Sequence, residues 1–151
     1  LAGSEHGDAR RAVDLLRIAA EVAEREGADK LEENHIRTAV QRIERDRIYD
    51  ALKSLPLQSK ALLISISETK QNCTTGDVYE NYKIISKKIG IEILTQRRIS
   101  SMISELDLLG LITASIVNHG RYGRTKKIKN SISIQTIKEV FKQDQILSIL
   151  L

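Results

Sequence analysis

The sequence predicts a mainly α-helical protein that ends in a helix followed by a basic β-hairpin, and three observations carry the prediction. Apolar residues recur at helical spacing through most of the chain up to Leu109, the pattern of helices that bury one face. Directly after Gly110 the period changes: Leu111 to Val117 is β-branched and apolar, Asn118 to Arg124 is rich in turn residues, and Thr125 to Asn130 is extended but basic. Charge is also segregated. Residues 1–52 hold 9 Lys and Arg against 12 Asp and Glu, a net of −3, whereas residues 53–151 hold 15 against 8, a net of +7. The second half is the one suited to a polyanion.

The stretch from Leu94 to Asn130 is the part the rest supports. Thr95 is placed to cap a helix whose apolar positions Ile99, Met102, Ile103, Leu106 and Leu109 share a face, and Gly110 to end it. The opposite face carries Arg97, Ser100, Ser101 and Ser104. Arg97 and Arg98 stand in the first turn, where the helix dipole favours acids, so they are locally unfavourable unless a polyanion approaches that end. The hairpin tip and return strand hold His119, Arg121, Arg124, Lys126, Lys127 and Lys129, with no acid from Leu108 through Thr136. Helix, turn, helix and basic hairpin make the winged-helix variant of the helix-turn-helix. Its last helix enters the major groove, and its wing lies along the backbone or in the adjacent minor groove. Tyr122, between two glycines at the tip, has nothing in the hairpin to bury it and is expected to touch a sugar, a phosphate or a partner.

Composition narrows the rest. With 151 residues, 41% apolar and 29% charged, the chain has the balance of a soluble globular protein with one ordinary core or two small ones. Aromatics are only 3%, so the core must be aliphatic, and duplex is a better match than stacked single strands. No apolar run reaches the roughly 18 residues a membrane span needs, so no membrane is expected as a partner. Cys73 stands alone and the histidines are scattered at positions 6, 35 and 119, which argues against a disulfide or a metal site and for a reducing, cytoplasmic location.

In chain order, Gly7 to Glu26 reads as a helix with Asp8 as its cap and Ala9, Ala12, Val13, Leu16, Ala19, Ala20 and Ala23 as its buried face, ended by Gly27. A second runs from about Glu32 to Leu52 on Ile36, Ala39, Val40, Ile43, Ile48 and Leu52. Pro56 then interrupts, and alanine falls from nine residues in 1–52 to two afterwards. A domain boundary is therefore expected near Lys53 to Leu57, giving domains 1–53 and 54–151. In the second, helices are expected at Leu57 to Glu68, at Thr75 to Lys88 with Thr74 or Thr75 as cap and Gly90 as stop, and at Leu94 to Leu109. Closing helices are expected at Ile134 to Lys142 and Gln145 to Leu151, with Ile146, Leu147, Ile149, Leu150 and Leu151 in the core. Glu32 and Glu33 read as solvated surface, and Lys87 and Lys88 as complements to a helix dipole. Ser4, His6 and Asp8 lack the nucleophile elbow and oxyanion loop of a hydrolase.

Two sets of motifs carry a family resemblance. Gly7-Asp8-Ala9-Arg10 resembles the sensor-2 motif in the helical lid of AAA+ ATPases, where the arginine reaches a nucleotide's terminal phosphates; the match makes Arg10 the sensor. TTGDVYENYK at 74–83, LTQRRISSMISELDLLGLI at 94–112 and GRYGRTKKI at 120–128 resemble the winged-helix domain of the archaeal replication initiators related to the origin recognition complex and to cell division control protein 6. The resemblance implies a helical AAA+ lid followed by a winged helix. It implies double-stranded origin DNA as partner, with the replicative helicase and other initiator copies as further ones, in the cytoplasm with the nucleoid. It places Thr95, Gln96, Arg97, Arg98 and Ser101 in the major groove, with Ser100 and Ser104 beside them, and Arg121, Tyr122 and Arg124 in the minor groove. Gly120 and Gly123 at the tip and Lys126, Lys127 and Lys129 along the wing complete the residues expected to bind DNA.

Family members also carry a phosphate-cradling G-x-x-x-x-G-K-[ST] loop, and none occurs here. With Leu1 at its start, the chain is expected to be a C-terminal piece of a longer protein. ATP or ADP with Mg would belong to that parent; the piece itself is expected to hold no cofactor and to be no enzyme, leaving Arg10 nothing to sense. Two other classes compete. A winged-helix transcription regulator would not explain the acidic lid, and a winged helix used for protein contacts would have a mixed or apolar wing.

Overall fold

In a computed structural model the backbone is described for residues 2–70, 72–118 and 124–150, and side chains there except at 2–8, 118, 124, 148 and 149. The chain divides into two compact units, Leu1–Tyr49 and Asp50–Leu151. The fold class is the expected one: mainly helical, with six α-helices and a three-stranded antiparallel sheet among the described residues.

The first unit holds α1 (Ala2–Arg25) and most of α2 (Glu33–Ser54). The expected start of α1 is corrected: the helix already runs through Gly7 and Asp8, so Asp8 is no cap. One glycine inside a helix costs about 1 kcal/mol, too little to stop it. The expected buried face is also rotated. Leu15, Ile18, Ala19, Val22 and Ala23 turn inward, whereas Val13 is 65% and Leu16 52% exposed. Ala19 and Ala23 are buried as expected, whereas Ala9, Ala12 and Ala20 are exposed, because alanine is apolar enough to match the period yet costs little in water. On α2, Ala39 is buried as expected but Val40 is exposed. His35 joins the helices unforeseen. Its Nδ1 accepts the Glu32 N–H at 3.0 Å, so the other ring nitrogen faces Glu26 Oε2 at 3.1 Å as the donor.

The second unit is built around α3 (Leu57–Glu68), buried on every side from Ala61 to Ser67. Val78, Tyr82 and Ile85 of α4 (Thr75–Ile89) and Ile99, Met102, Ile103 and Leu106 of α5 (Gln96–Leu108) complete much of the core. Leu109, expected on that face, is instead 52% exposed, because it is the residue at which α5 ends. Gly90 and Gly110 adopt φ of 72° and 73°, the left-handed conformation that ends a helix at no side-chain cost.

The sheet contains one strand the sequence concealed, β1 (Cys73–Thr74), too short to show a period. It pairs with β3 (Arg124–Asn130), which pairs in turn with β2 (Ile112–Asn118), in the order β1-β3-β2. Helix α6 (Ile134–Phe141) closes the unit with Ile137, Val140 and Phe141 inward, capped by Ser133. The last expected α-helix is a 3₁₀ turn, Leu147–Leu150; Leu147 is buried but Ile146 is exposed. The segment is tied instead by Asp144, which receives Lys60 at 3.1 Å and the Ile146 N–H at 3.2 Å.

The start of α4 generates a testable expectation. Thr74 Oγ1 accepts the Asp77 N–H at 3.3 Å while Asp77 Oδ2 accepts the Thr74 N–H at 2.8 Å, a reciprocal capping box. The Thr74 N–H first, and after it the Thr74 hydroxyl, which donates to the same Oδ2 at 2.7 Å, hold the Asp77 carboxyl below its usual range. A carboxylate whose folded-state pKa is depressed contributes stability above the unfolded value and loses it as pH falls through the folded one. Thr74→Ala should cost about 1 kcal/mol at neutral pH. In urea titrations the gap to the unaltered protein should narrow only well into the acid range; a gap independent of pH would show that the carboxylate is not part of the cap.

We propose that the second unit folds alone, and the edge of α2 makes the proposal quantitative. Leu52 is fully buried and belongs to that unit. A chain beginning at residue 54 should be less stable than one beginning at Asp50 by about 2–4 kcal/mol, the scale of losing a buried leucine. Equal midpoints in urea would mean that Leu52 is not part of that core.

Candidate nucleic-acid interface

Helix α5 is aimed by the turn before it. Tyr82 is wholly buried, yet its hydroxyl donates to Gln58 Oε1 at 2.5 Å and accepts the Leu94 N–H at 3.5 Å. Tyr79 donates its hydroxyl proton to the Leu94 carbonyl at 3.2 Å, and Gln58 donates to the Glu92 carbonyl at 3.0 Å. The residues between Gly90 and Thr95 are thereby pinned to α3 and α4. Thr95 then caps α5, its hydroxyl accepting the Arg98 N–H at 3.3 Å. With Ile99, Met102, Ile103 and Leu106 buried, the other side of α5 must face outward.

The wing is fixed at its root and along its length. Asp107 accepts the Ala114 N–H at 3.0 Å, which ties the end of α5 to β2. The strands pair in register, Ala114 with Ile128 and Ile116 with Lys126. Directly paired residues share a face. Ile128 is buried, so Ile112, Ala114, Ile116 and Lys126 lie on the inward side, and Lys127 and Lys129 on the other. Lys126 reaches α5, its ammonium donating to the Ser100 carbonyl at 3.0 Å and to Ser104 Oγ at 2.5 Å.

Between these elements lies an open cleft of about 540 Å³. Its walls include Thr75 and Gly76 at the start of α4, Gln96 and Arg97 at the start of α5, and Ile116 and Lys126 of the wing, and among the described residues no acidic side chain lines it.

Gln96, Arg97, Arg98, Ser101 and Ser104 are exposed, and Ser100 is half-buried. Their engagement differs. Arg98 pairs with Glu105 at 3.2 Å, an acid that also accepts Ser101 at 3.4 Å, and Ser104 donates to the Ser100 carbonyl at 3.3 Å. Among the described residues the Arg97 guanidinium has no partner. Gly120, Arg121, Tyr122 and Gly123 lie outside the described residues, as does the side chain of Arg124; the Arg124 backbone begins β3. Arg10 is exposed on α1. Sequence reasoning passed over Thr75, Gly76 and Ile116. The capping box spelled by Thr74 and Asp77 marked the first two, but only pairing across the hairpin brings Ile116 to the cleft. Among the described residues no cluster of three or more His, Cys, Asp or Glu is arranged to hold a metal ion, and no helix is long and apolar enough to cross a membrane.

Comparison with known proteins agrees with this architecture at both ends of the chain. Residues 1–41 match the Cdc6 AAA+ ATPase-type lid domain, and residues 50–140 match the CDC6 C-terminal winged helix domain. The chain is 50% identical over 149 residues to the ORC1-type DNA replication protein 1 of Sulfurisphaera tokodaii, covering 95% of this chain and 37% of that protein. It is 48% identical over 149 residues to the ORC1-type DNA replication protein of Thermococcus kodakarensis, covering 96% and 36%. It thus spans a little over a third of the length of these relatives. A structure of the Aeropyrum pernix ORC1 protein in complex with DNA superposes with a TM-score of 0.85 at 38% identity, over 95% of this chain and 38% of that one. An aliphatic-cored winged helix preceded by a lid, matched at this level over nearly its whole length, places the chain in the ORC1/Cdc6 family of DNA replication proteins.

Proposed function

We propose that this chain is the origin-binding part of an archaeal replication initiator, gripping duplex DNA with α5 in the major groove and the wing in the adjacent minor groove. The observation that carries the reading is the cleft, free of acidic side chains among the described residues, in which Arg97, Lys126 and the start of α4 converge. The N-terminus of α5, with no acid in its first turn, opens there and favours an anion, whereas Asp77 already occupies that place on α4. The Aeropyrum pernix relative, whose structure is of a complex with DNA, supports the same assignment.

The contacts divide by their present engagement. Gln96 and Arg97 are the direct readers; Thr95, Ser100, Ser101 and Ser104 add hydroxyls and backbone along the same face. Arg98 begins paired to Glu105, with both partners more than half exposed, so the pair is weak enough for a phosphate to displace. Arg121, Tyr122 and Arg124, between Gly120 and Gly123, are assigned to the minor groove. Lys126 positions the wing, whereas Lys127 and Lys129, on the far face, act at longer range. In the longer parent, Arg10 would sense ATP or ADP held with Mg by a domain beyond this chain, and the replicative helicase and other initiator copies would be its partners.

Fluorescence anisotropy with a labelled duplex across a salt series tests the reading, and affinity should be the same with and without ATP. Saturable, tight ATP binding by this chain in calorimetry would contradict it. Replacing both Arg121 and Arg124 by Ala should shift stability by under about 0.5 kcal/mol. It should also make the slope of log affinity against log salt shallower by about 0.9 per residue. Arg97→Ala should weaken a cognate site by roughly 1–3 kcal/mol while leaving non-specific sites less affected. An equal loss on every sequence would reassign Arg97 to a phosphate.

A further inference from the structure

One residue of the cleft does not fit an electrostatic grip. Ile116 is 67% exposed, yet it lies on the inward face of the wing, directly across from Lys126. The positions before it on that face, Ile112 and Ala114, are buried and half-buried, so the apolar stripe of the sheet continues past the core into the open cleft. Lys126 is engaged by Ser100 and Ser104, which holds this part of the wing against α5. Ile116 therefore offers a stiff, β-branched surface at a fixed distance from Gln96 and Arg97, with Thr75 and Gly76 forming another wall.

The sugar–phosphate backbone of a nucleic-acid strand matches such a mixed surface. Its phosphates suit the arginine and the N-terminus of α5, while the sugar presents carbon and hydrogen. In DNA the 2′ position has no hydroxyl. A 2′-hydroxyl pressed against Ile116 would lose water on that side and gain no acceptor from the isoleucine. We propose that Ile116 packs against the deoxyribose of the strand seated in this cleft, and that the contact makes the cleft select DNA over a ribose-containing backbone. The proposal rests on the DNA-binding reading above.

The test uses the whole chain, one A·T-rich duplex, and the same duplex with ribonucleotides spaced along both strands. The unaltered protein should bind the ribose-containing duplex roughly three- to tenfold more weakly. Ile116→Ala should bind the all-DNA duplex weaker by a similar factor, with its salt slope unchanged, and should have lost most of the preference between duplexes. Ile116→Val, which keeps the branched surface, should retain both affinity and preference. Because altered groove shape affects every variant alike, the ratio of the two preferences isolates the contact at Ile116. If Ile116→Ala keeps full affinity, or keeps the unaltered protein's preference, the proposal is overturned while the DNA-binding reading stands. If the unaltered chain binds neither duplex, both fall together.

Discussion

The surface offered by this protein depends on one buried hydroxyl. Tyr82 sits wholly inside the second unit, where an unpaired phenol would be costly, and it satisfies itself with Gln58 and the Leu94 N–H. Those partners belong to α3 and to the turn before α5, so hydrogen-bond satisfaction in the core also sets where α5 begins. Tyr79, stacked beside Tyr82 with ring centroids 6.4 Å apart, holds the other side of the same residue through the Leu94 carbonyl. In a chain with 3% aromatic residues, placing two of them here concentrates rigid, polar-tipped side chains at the point where the outer face of α5 is aimed.

That aim has an electrostatic cost kept in reserve. The first turn of α5 carries Arg97 and Arg98 against its own dipole, and no acid offsets them there. Glu105 draws Arg98 two turns along the helix, whereas Arg97 is left facing the cleft. A polyanion would relieve this local frustration on arrival, and the free protein tolerates it because the apolar face of α5 and the Thr95 cap already secure the helix. The wing shows the same economy. Its apolar root is anchored through Asp107, and Lys126 is used to hold shape.

Much of this was legible from residue order because it rests on local physics. The 3.6-residue period, the caps at Thr74 and Thr95 and the stops at Gly90 and Gly110 act within one or two turns. The helices α3, α4, α5 and α6 therefore fall within a residue or two of their expected bounds. Errors arose where the local signal was ambiguous. Alanine made two faces of α1 look alike, a single glycine did not end it, and the terminal apolar run forms a 3₁₀ turn in place of an α-helix. Strand β1 was invisible, since two residues have no period and exist as a strand only by pairing with β3.

By itself, then, the sequence determined the elements, their apolar faces and the basic character of the second half, because backbone sterics, capping and charge are properties of neighbours along the chain. Tertiary structure alone decided which polar groups remain available. That Lys126 is tied to α5, that Lys127 and Lys129 face away, that Arg98 is paired while Arg97 has no partner among the described residues, and that Ile116 stands exposed in the cleft all follow from strand register and from contacts between residues 7 to 26 positions apart. Such distances are closed only when the core forms, and no residue pattern along the chain encodes them separately from it.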